Sequence, residues 1–169
     1  MRNKYSTEII ALNALIAALY AGLSIFLAPL SFGALQFRLA EAITLLPFYI
    51  PVIIPGLTIG CFISNLFGGF GIIDAIIGSL ATFIAATITS RTKNIFIATL
   101  PPVIINAVAV GGYISVLSKI PMWLCMLQIG ASQAVICLTF GIPLVKYFDK
   151  IGLLNKYKKE ATEAKTDNI

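Results

Sequence analysis

Phe32-Gly33-Ala34-Leu35-Gln36-Phe37-Arg38-Leu39-Ala40-Glu41 brings an amide, a guanidinium and a carboxylate into a chain otherwise built of lipid-compatible residues. Arg38 and Glu41 stand three positions apart, so they share one side of the first turn of a helix that begins near Leu39. A carboxylate in that turn suits the helix's positive end. Charge at the edge of hydrocarbon must be offset by a partner, water or a ligand, which marks the pair as a site candidate. The plainer reading has Arg38 snorkelling to headgroups while Glu41 caps the helix.

The surrounding chain has 169 residues, 59% of them hydrophobic and 11% charged, with a mean hydropathy of +0.95. That is the profile of an all-α polytopic membrane protein, and one helical bundle uses up the length. There is no G-x-x-x-x-G-K-[ST] phosphate loop, so ATP-driven work by that mechanism needs a partner. The net charge of +5 falls mostly between hydrophobic segments or near the end of the chain. It reads as topology, not as a nucleic-acid surface. Cys61, Cys125 and Cys137 lie singly in apolar runs and read as small packing residues. With no histidine, His-based zinc sites, triads and proton relays are excluded. Residues 1–8 read as a cytoplasmic start, not a cleaved signal.

Six membrane-embedded helices are expected. The first covers about 9–28, long enough to cross the hydrocarbon. On it Ala14, Ala18 and Gly22 recur every four positions with Ala17 and Ala21 on the adjoining row, a small-residue face for another helix or a separate subunit. Short second and third helices, 41–52 with Pro47 and 56–67 after Pro51 and Pro55, fit a tilted hairpin buried among the others. The fourth, 72–90, carries Asp74 in its first turn, either as a dipole-favoured acid or as a site carboxylate near Asn65. The fifth, 95–117, contains Pro101-Pro102, which predicts a kink, and Asn106, which must find a hydrogen bond as interhelical glue or ligand contact. The sixth, 122–145, carries Gln128 and Gln133 about 140° apart, so one can line a pocket while the other packs. Trp123 sits where an interfacial aromatic is expected. The division is a six-helix substrate-binding domain over 1–148 and a polar cytoplasmic tail over 149–169, with helix extending to about 159.

An even number of crossings puts both termini on one face. Arg2, Lys4, Arg91, Lys93, Lys146, Lys150 and the tail lysines gather there against Arg38 and Lys119 on the other, so the basic face is cytoplasmic. Arg38, Glu41, Asn65 and Asp74 then lie at the outer mouth, with Asn106, Gln128 and Gln133 reaching down from it. This convergence on one side marks a solute pocket, since packing residues alone would distribute between both leaflets.

The run Gln36-Phe37-Arg38-Leu39-Ala40-Glu41-Ala42-Ile43-Thr44-Leu45-Leu46-Pro47-Phe48 is joined by Ile54-Pro55-Gly56-Leu57, Gly60-Cys61 and Asn65-Leu66. Gly78-Ser79-Leu80-Ala81 follows Asp74, and Pro101-Pro102-Val103 precedes Asn106-Ala107. In this order they resemble the QueT family of substrate-binding S components of energy-coupling factor (ECF) transporters, over roughly residues 8–148. The resemblance implies a six-helix S component of the prokaryotic plasma membrane that captures a queuosine precursor or queuine, a 7-deazaguanine, from outside. It implies docking through Ala14, Ala17, Ala18, Ala21 and Gly22 on a transmembrane coupling protein with two cytoplasmic ATPases. Delivery would be by toppling in the membrane, with the loop before the second helix as a lid. No cofactor is implied in this chain, since ATP is used by the partners.

A deazaguanine offers adjacent N–H donors and a carbonyl acceptor, for which Gln36, Arg38, Glu41, Asn65, Asp74, Asn106, Gln128 and Gln133 supply complementary groups. Phe37, Tyr113 or Trp123 can stack on its ring. One departure is that Ser132-Gln133 stands where family members commonly have Gly-Glu, which bears on whether a cationic precursor or another deazapurine is bound. The same scaffold also serves other vitamin-like or purine-like micronutrients. An intramembrane enzyme using Glu41 and Asp74 lacks a metal constellation or nucleophile elbow, and the chain is read as no enzyme. A purely structural assembly factor would use the alanine face without a ligand.

Overall fold

In this computed structural model the described residues are 7–33 and 36–155. Ala34 and Leu35 of the key stretch, residues 1–6 of the expected cytoplasmic start and the tail lysines Lys156, Lys158 and Lys159 lie outside them. Helix α1 (Thr7–Phe26) leads through a short α2 (Ala28–Ser31) to a ten-residue 3₁₀ helix, Leu39–Phe48, and a 3₁₀ turn, Pro51–Ile53. Then come α3 (Ile54–Leu66), α4 (Gly71–Arg91), a 3₁₀ turn at Ile97–Thr99 and α5 (Leu100–Ser118). The last helix is α6 (Met122–Ile136), a π-helical turn at Cys137–Gly141 and α7 (Ile142–Lys150).

Four of these stretches are long and apolar enough to cross a membrane: Thr7–Phe26, Gly71–Arg91, Ile97–Ser118 and Met122–Lys150. Large apolar side chains such as Leu15, Leu19, Ile84, Ile104 and Leu138 stand exposed along them. Lipid is the medium that makes such a surface stable.

The two shorter apolar segments, Leu39–Phe48 and Pro51–Leu66, differ from the expected α-helical hairpin in a consequential way. The second helix is 3₁₀ and every residue from Ala40 to Phe48 is buried. At about 2 Å rise per residue, ten residues reach about 20 Å instead of the about 15 Å of an α-helix. Because residues three apart eclipse in this geometry, Glu41 and Thr44 stack on one edge, and the Thr44 hydroxyl donates to the Glu41 carbonyl at 2.6 Å.

This strut runs through the core formed by Ile16, Tyr20, Leu45, Ile53, Leu57, Cys61, Cys137, Val145 and Leu154. Glycines let α3 lie against α1: a Cβ at Gly56 would meet the Asn13 carbonyl oxygen at 2.5 Å, and one at Gly60 the Ala17 oxygen at 2.8 Å. This is the close backbone approach that small residues permit in a membrane. Asn13 fastens the same seam, donating to the Val52 carbonyl and accepting the Gly56 N–H.

Two expectations are corrected here. Pro101-Pro102 falls in the first turn of α5, where the missing N–H groups have no helical partner anyway, so it starts the helix instead of kinking it. The packed body also extends past residue 148: α7 continues to Lys150, and Leu154 is fully buried in the core. At the Arg91 end of α4, the Lys146 ammonium lies 5.5 Å from the centre of the Phe96 ring.

Candidate functional site

The loops preceding the 3₁₀ helix, joining α3 to α4 and joining α5 to α6 meet at the end of the bundle opposite Arg91 and Lys146. Two cavities lie there, one below the other. The outer has a volume of about 220 Å³ and is lined by Phe32, Gly33, Gln36, Phe70, Ile114, Ser118, Ile120, Cys125, Gln128 and Ile129. The inner holds about 20 Å³, space for roughly one water, among Gln36, Arg38, Glu41, Gly78, Thr82, Asn106, Val110, Ile129 and Gln133. It is deeper because Asn106 and Val110 precede Ile114 and Ser118 on α5 by one to three turns. Gln36 and Ile129 line both cavities and so form the wall between them.

Gln36 holds that position in a left-handed conformation, φ 45°, which is uncommon for a side-chain-bearing residue. Its carbonyl accepts the Ser132 hydroxyl of α6 at 3.1 Å, which pins the loop to the last helix.

Glu41 is the hub of the inner cavity. Its Oε1 accepts the Tyr20 hydroxyl of α1 at 2.5 Å, and its Oε2 accepts Nε2 of Gln133 at 3.1 Å. Gln133 Oε1 in turn accepts Nδ2 of Asn106 at 3.3 Å. Three helices and the strut are thereby linked through a single carboxylate. Arg38, only 7% exposed, stands between two acids, with Nη1 3.9 Å from Glu41 and Nη2 4.0 Å from Asp74. Its guanidinium also lies 5.3 Å from the centre of the Phe32 ring, within cation–π range. Asp74 accepts the Tyr113 hydroxyl at 2.5 Å. Among the described residues Arg38 makes these ion pairs and no side-chain hydrogen bond, so its donors remain for a carbonyl, an anion or water.

Of the residues expected at a site, Gln36, Arg38, Glu41, Asn106 and Gln133 share the inner cavity, and Gln128 lines the outer one. This separation of the two glutamines follows their angular spacing on α6. Asp74 lines neither cavity and acts behind Arg38. Asn65 is buried as glue, donating to the Asp74 carbonyl at 3.0 Å and holding α3 on α4. Tyr113 is spent on Asp74 and meets Phe70 edge-on, so it offers no open face for stacking. Phe37 lines neither of the two cavities, nor does Trp123, which is 67% exposed.

The small-residue face of α1 also divides. Ala17 and Ala21 are buried, Ala17 against Gly60 of α3, whereas Ala14, Ala18 and Gly22 remain exposed. Sequence reasoning missed Tyr20, Thr82, Phe32 and Phe70 as site residues. Tyr20 gave a usable signal, as a tyrosine in the middle of an otherwise apolar helix needs a hydrogen-bond partner when buried.

A family model described as the QueT transporter matches residues 10–150. The chain belongs to the QueT transporter family. Membership of this transporter family agrees with the reading of a non-enzyme, and with several apolar helices it makes the chain a multi-pass protein of the prokaryotic plasma membrane. This QueT family member is 39% identical over 83 residues to the queuosine precursor transporter QueT of Lactococcus lactis subsp. cremoris (strain MG1363). That alignment covers 48% of each chain, so the match spans about half the length of the relative. No solved structure matches this family member.

Proposed function

We propose that this QueT family member is the S component of an ECF importer and captures a queuosine precursor or queuine at the outer face of the membrane. The observation that carries the reading is the linked set Arg38, Glu41, Gln133 and Asn106 around one cavity at the end away from the basic residues. The name of the Lactococcus relative supports the substrate class. In this reading the two short segments complete six membrane-embedded helices, both termini are cytoplasmic by the distribution of Lys and Arg, and a cytoplasmic tail follows the packed body.

Glu41 and the Asn106 carbonyl oxygen accept the N–H edge of a deazaguanine, while Arg38 donates to its carbonyl. The base occupies the outer cavity and presents its polar edge to the inner one as Gln36 and Ile129 give way. Ala14, Ala18 and Gly22 dock on the coupling protein. The partner ATPases supply the energy, and toppling carries the pocket to the inner face.

Calorimetry of the detergent-purified chain against 7-deazaguanines, with thiamine, biotin, riboflavin and purines alongside, tests this. Tight binding of a deazaguanine alone is expected. Binding only of one of the vitamins would assign the scaffold to another micronutrient, and no binding of any deazaguanine would end the queuosine reading. Ala18→Phe is expected to spare binding and stop uptake in cells carrying the ECF module. Equal uptake by that variant would remove the docking assignment.

A further inference from the structure

Space and hydrogen-bonding groups are divided between the two cavities, and that division fixes where a ring can sit. The inner cavity, at about 20 Å³, carries the charged and amide groups but has no room for a ring, whereas the outer one, at about 220 Å³, has. A flat base whose polar edge meets Glu41 and Asn106 therefore keeps its ring system in the outer cavity. The two aromatic rings lining that cavity are Phe32 and Phe70, and among the described residues the inner lining carries none. Phe32 lies just past α2 and Phe70 just before α4, so they reach the cavity from separate loops.

Both rings are fastened to the same buried ion pair. The Arg38 guanidinium lies 5.3 Å from the centre of the Phe32 ring and 4.0 Å from Asp74. Asp74 accepts the Tyr113 hydroxyl, and the Tyr113 ring meets Phe70 at 85° with 6.0 Å between centres. Phe32 is further confined by Gly68 of the α3–α4 loop, where a Cβ would come within 3.1 Å of its Cδ1. Phe70 packs on the cluster of Val110, Ile114, Cys125 and Ile129. Core packing alone accounts for phenylalanines on an apolar floor, but it does not require that each be tied to an opposite member of one ion pair beside an open cavity. Aromatic faces set in advance let a planar heterocycle stack without the cost of ordering them.

We infer that Phe32 and Phe70 form an aromatic clamp for the ring system of the transported base, with Asp74 and Tyr113 as positioning residues that act by setting the two rings. This rests on the transport reading above and deepens it, because ring recognition falls to the outer cavity and edge recognition to the inner one.

The test titrates 7-deazaguanine without a 7-substituent into detergent-purified wild type, Phe32→Leu, Phe32→Tyr, Phe70→Leu, Phe70→Tyr and Tyr113→Leu. Calorimetry reads affinity, and difference spectra read stacking as a loss of the ligand's ultraviolet absorption. Leucine keeps apolar bulk without an aromatic face, whereas tyrosine keeps the face. Each leucine variant at position 32 or 70 is expected to bind about threefold to tenfold more weakly and to lose part of the hypochromism. The tyrosine variants are expected to stay within about twofold of wild type, and Tyr113→Leu to bind about threefold more weakly. Leucine variants that bind like wild type, or a wild-type complex without hypochromism, would overturn the clamp and leave the transport reading standing. Equal losses in the leucine and tyrosine variants would reduce the rings to packing and overturn it as well. Unchanged affinity in Tyr113→Leu would overturn the positioning assignment. No binding to wild type would remove the transport reading and the inference with it. The two positions are tested separately, and the wild-type spectrum decides the matter even where a variant does not fold.

Discussion

The two cavities differ in opposite senses. The outer is large, about 220 Å³, and its lining is aromatic, aliphatic or neutral; the inner is about 20 Å³ and contains Arg38 and Glu41. Volume and chemistry are thus separated along one path, with Gln36 and Ile129 between them. The lesson is that capture and discrimination need not be done by the same side chains. In the proposed function, a broad apolar mouth admits a flat solute with little selectivity, while hydrogen-bond and charge matching one turn deeper decides whether it stays.

Substitutions can break this contrast, starting with the largest expected effect. Glu41→Ala strips the inner cavity of its hub and leaves the Tyr20 hydroxyl and the Gln133 amide without their acceptor. Affinity for a deazaguanine should fall by roughly two orders of magnitude, about 3 kcal/mol, in a calorimetric titration; a change of less than about threefold would mean that recognition lies elsewhere.

Gly78→Ala attacks the wall of the inner cavity. A Cβ there would lie 2.3 Å from Nδ2 of Asn65 and 3.2 Å from Oδ1 of Asp74, so the α3–α4 seam must shift. The expected loss is about 2 kcal/mol of stability, read as a lower thermal midpoint in detergent, whereas an unchanged midpoint would show that the seam has slack.

Tyr20→Phe reaches the inner cavity from behind. Losing one hydrogen bond to a charged acceptor removes about 1.5 kcal/mol, and ligand affinity should drop about tenfold with secondary structure intact by circular dichroism. Trp123→Ala is the smallest case. Exposed and off both cavities, it should alter affinity by less than about 0.5 kcal/mol; a loss comparable with that of Tyr20→Phe would restore it to the site.

Periodicity and length made most of the helices legible in the sequence. The strut was legible as a short, proline-bearing helix, but its 3₁₀ winding was not, since burial on every side and not local propensity holds Ala40 to Phe48 in that form. At the site, Arg38, Glu41, Asn106 and Gln133 could be picked out because polar groups in apolar helices need partners. Which of them meet depends on helix packing, and that is why Asn65 and Tyr113 looked equivalent to them and proved to be spent on Asp74. The alanine face of α1 was visible as a pattern, yet only the approach of Gly60 of α3 shows that Ala17 turns inward.

The widened turn at Cys137–Gly141 gives the final helix one residue more than regular winding would use. Its two halves are therefore set to different phases: the first aims Gln133 at Glu41, the second aims Val145 at the hydrophobic interior. Winding the same residues as regular α-helix would rotate everything downstream by about 100°, swing Val145 and Leu154 out toward lipid and leave the half that carries Gln133 unturned. Length in this helix acts as an angular adjustment, tuned independently for recognition at one end and anchoring at the other.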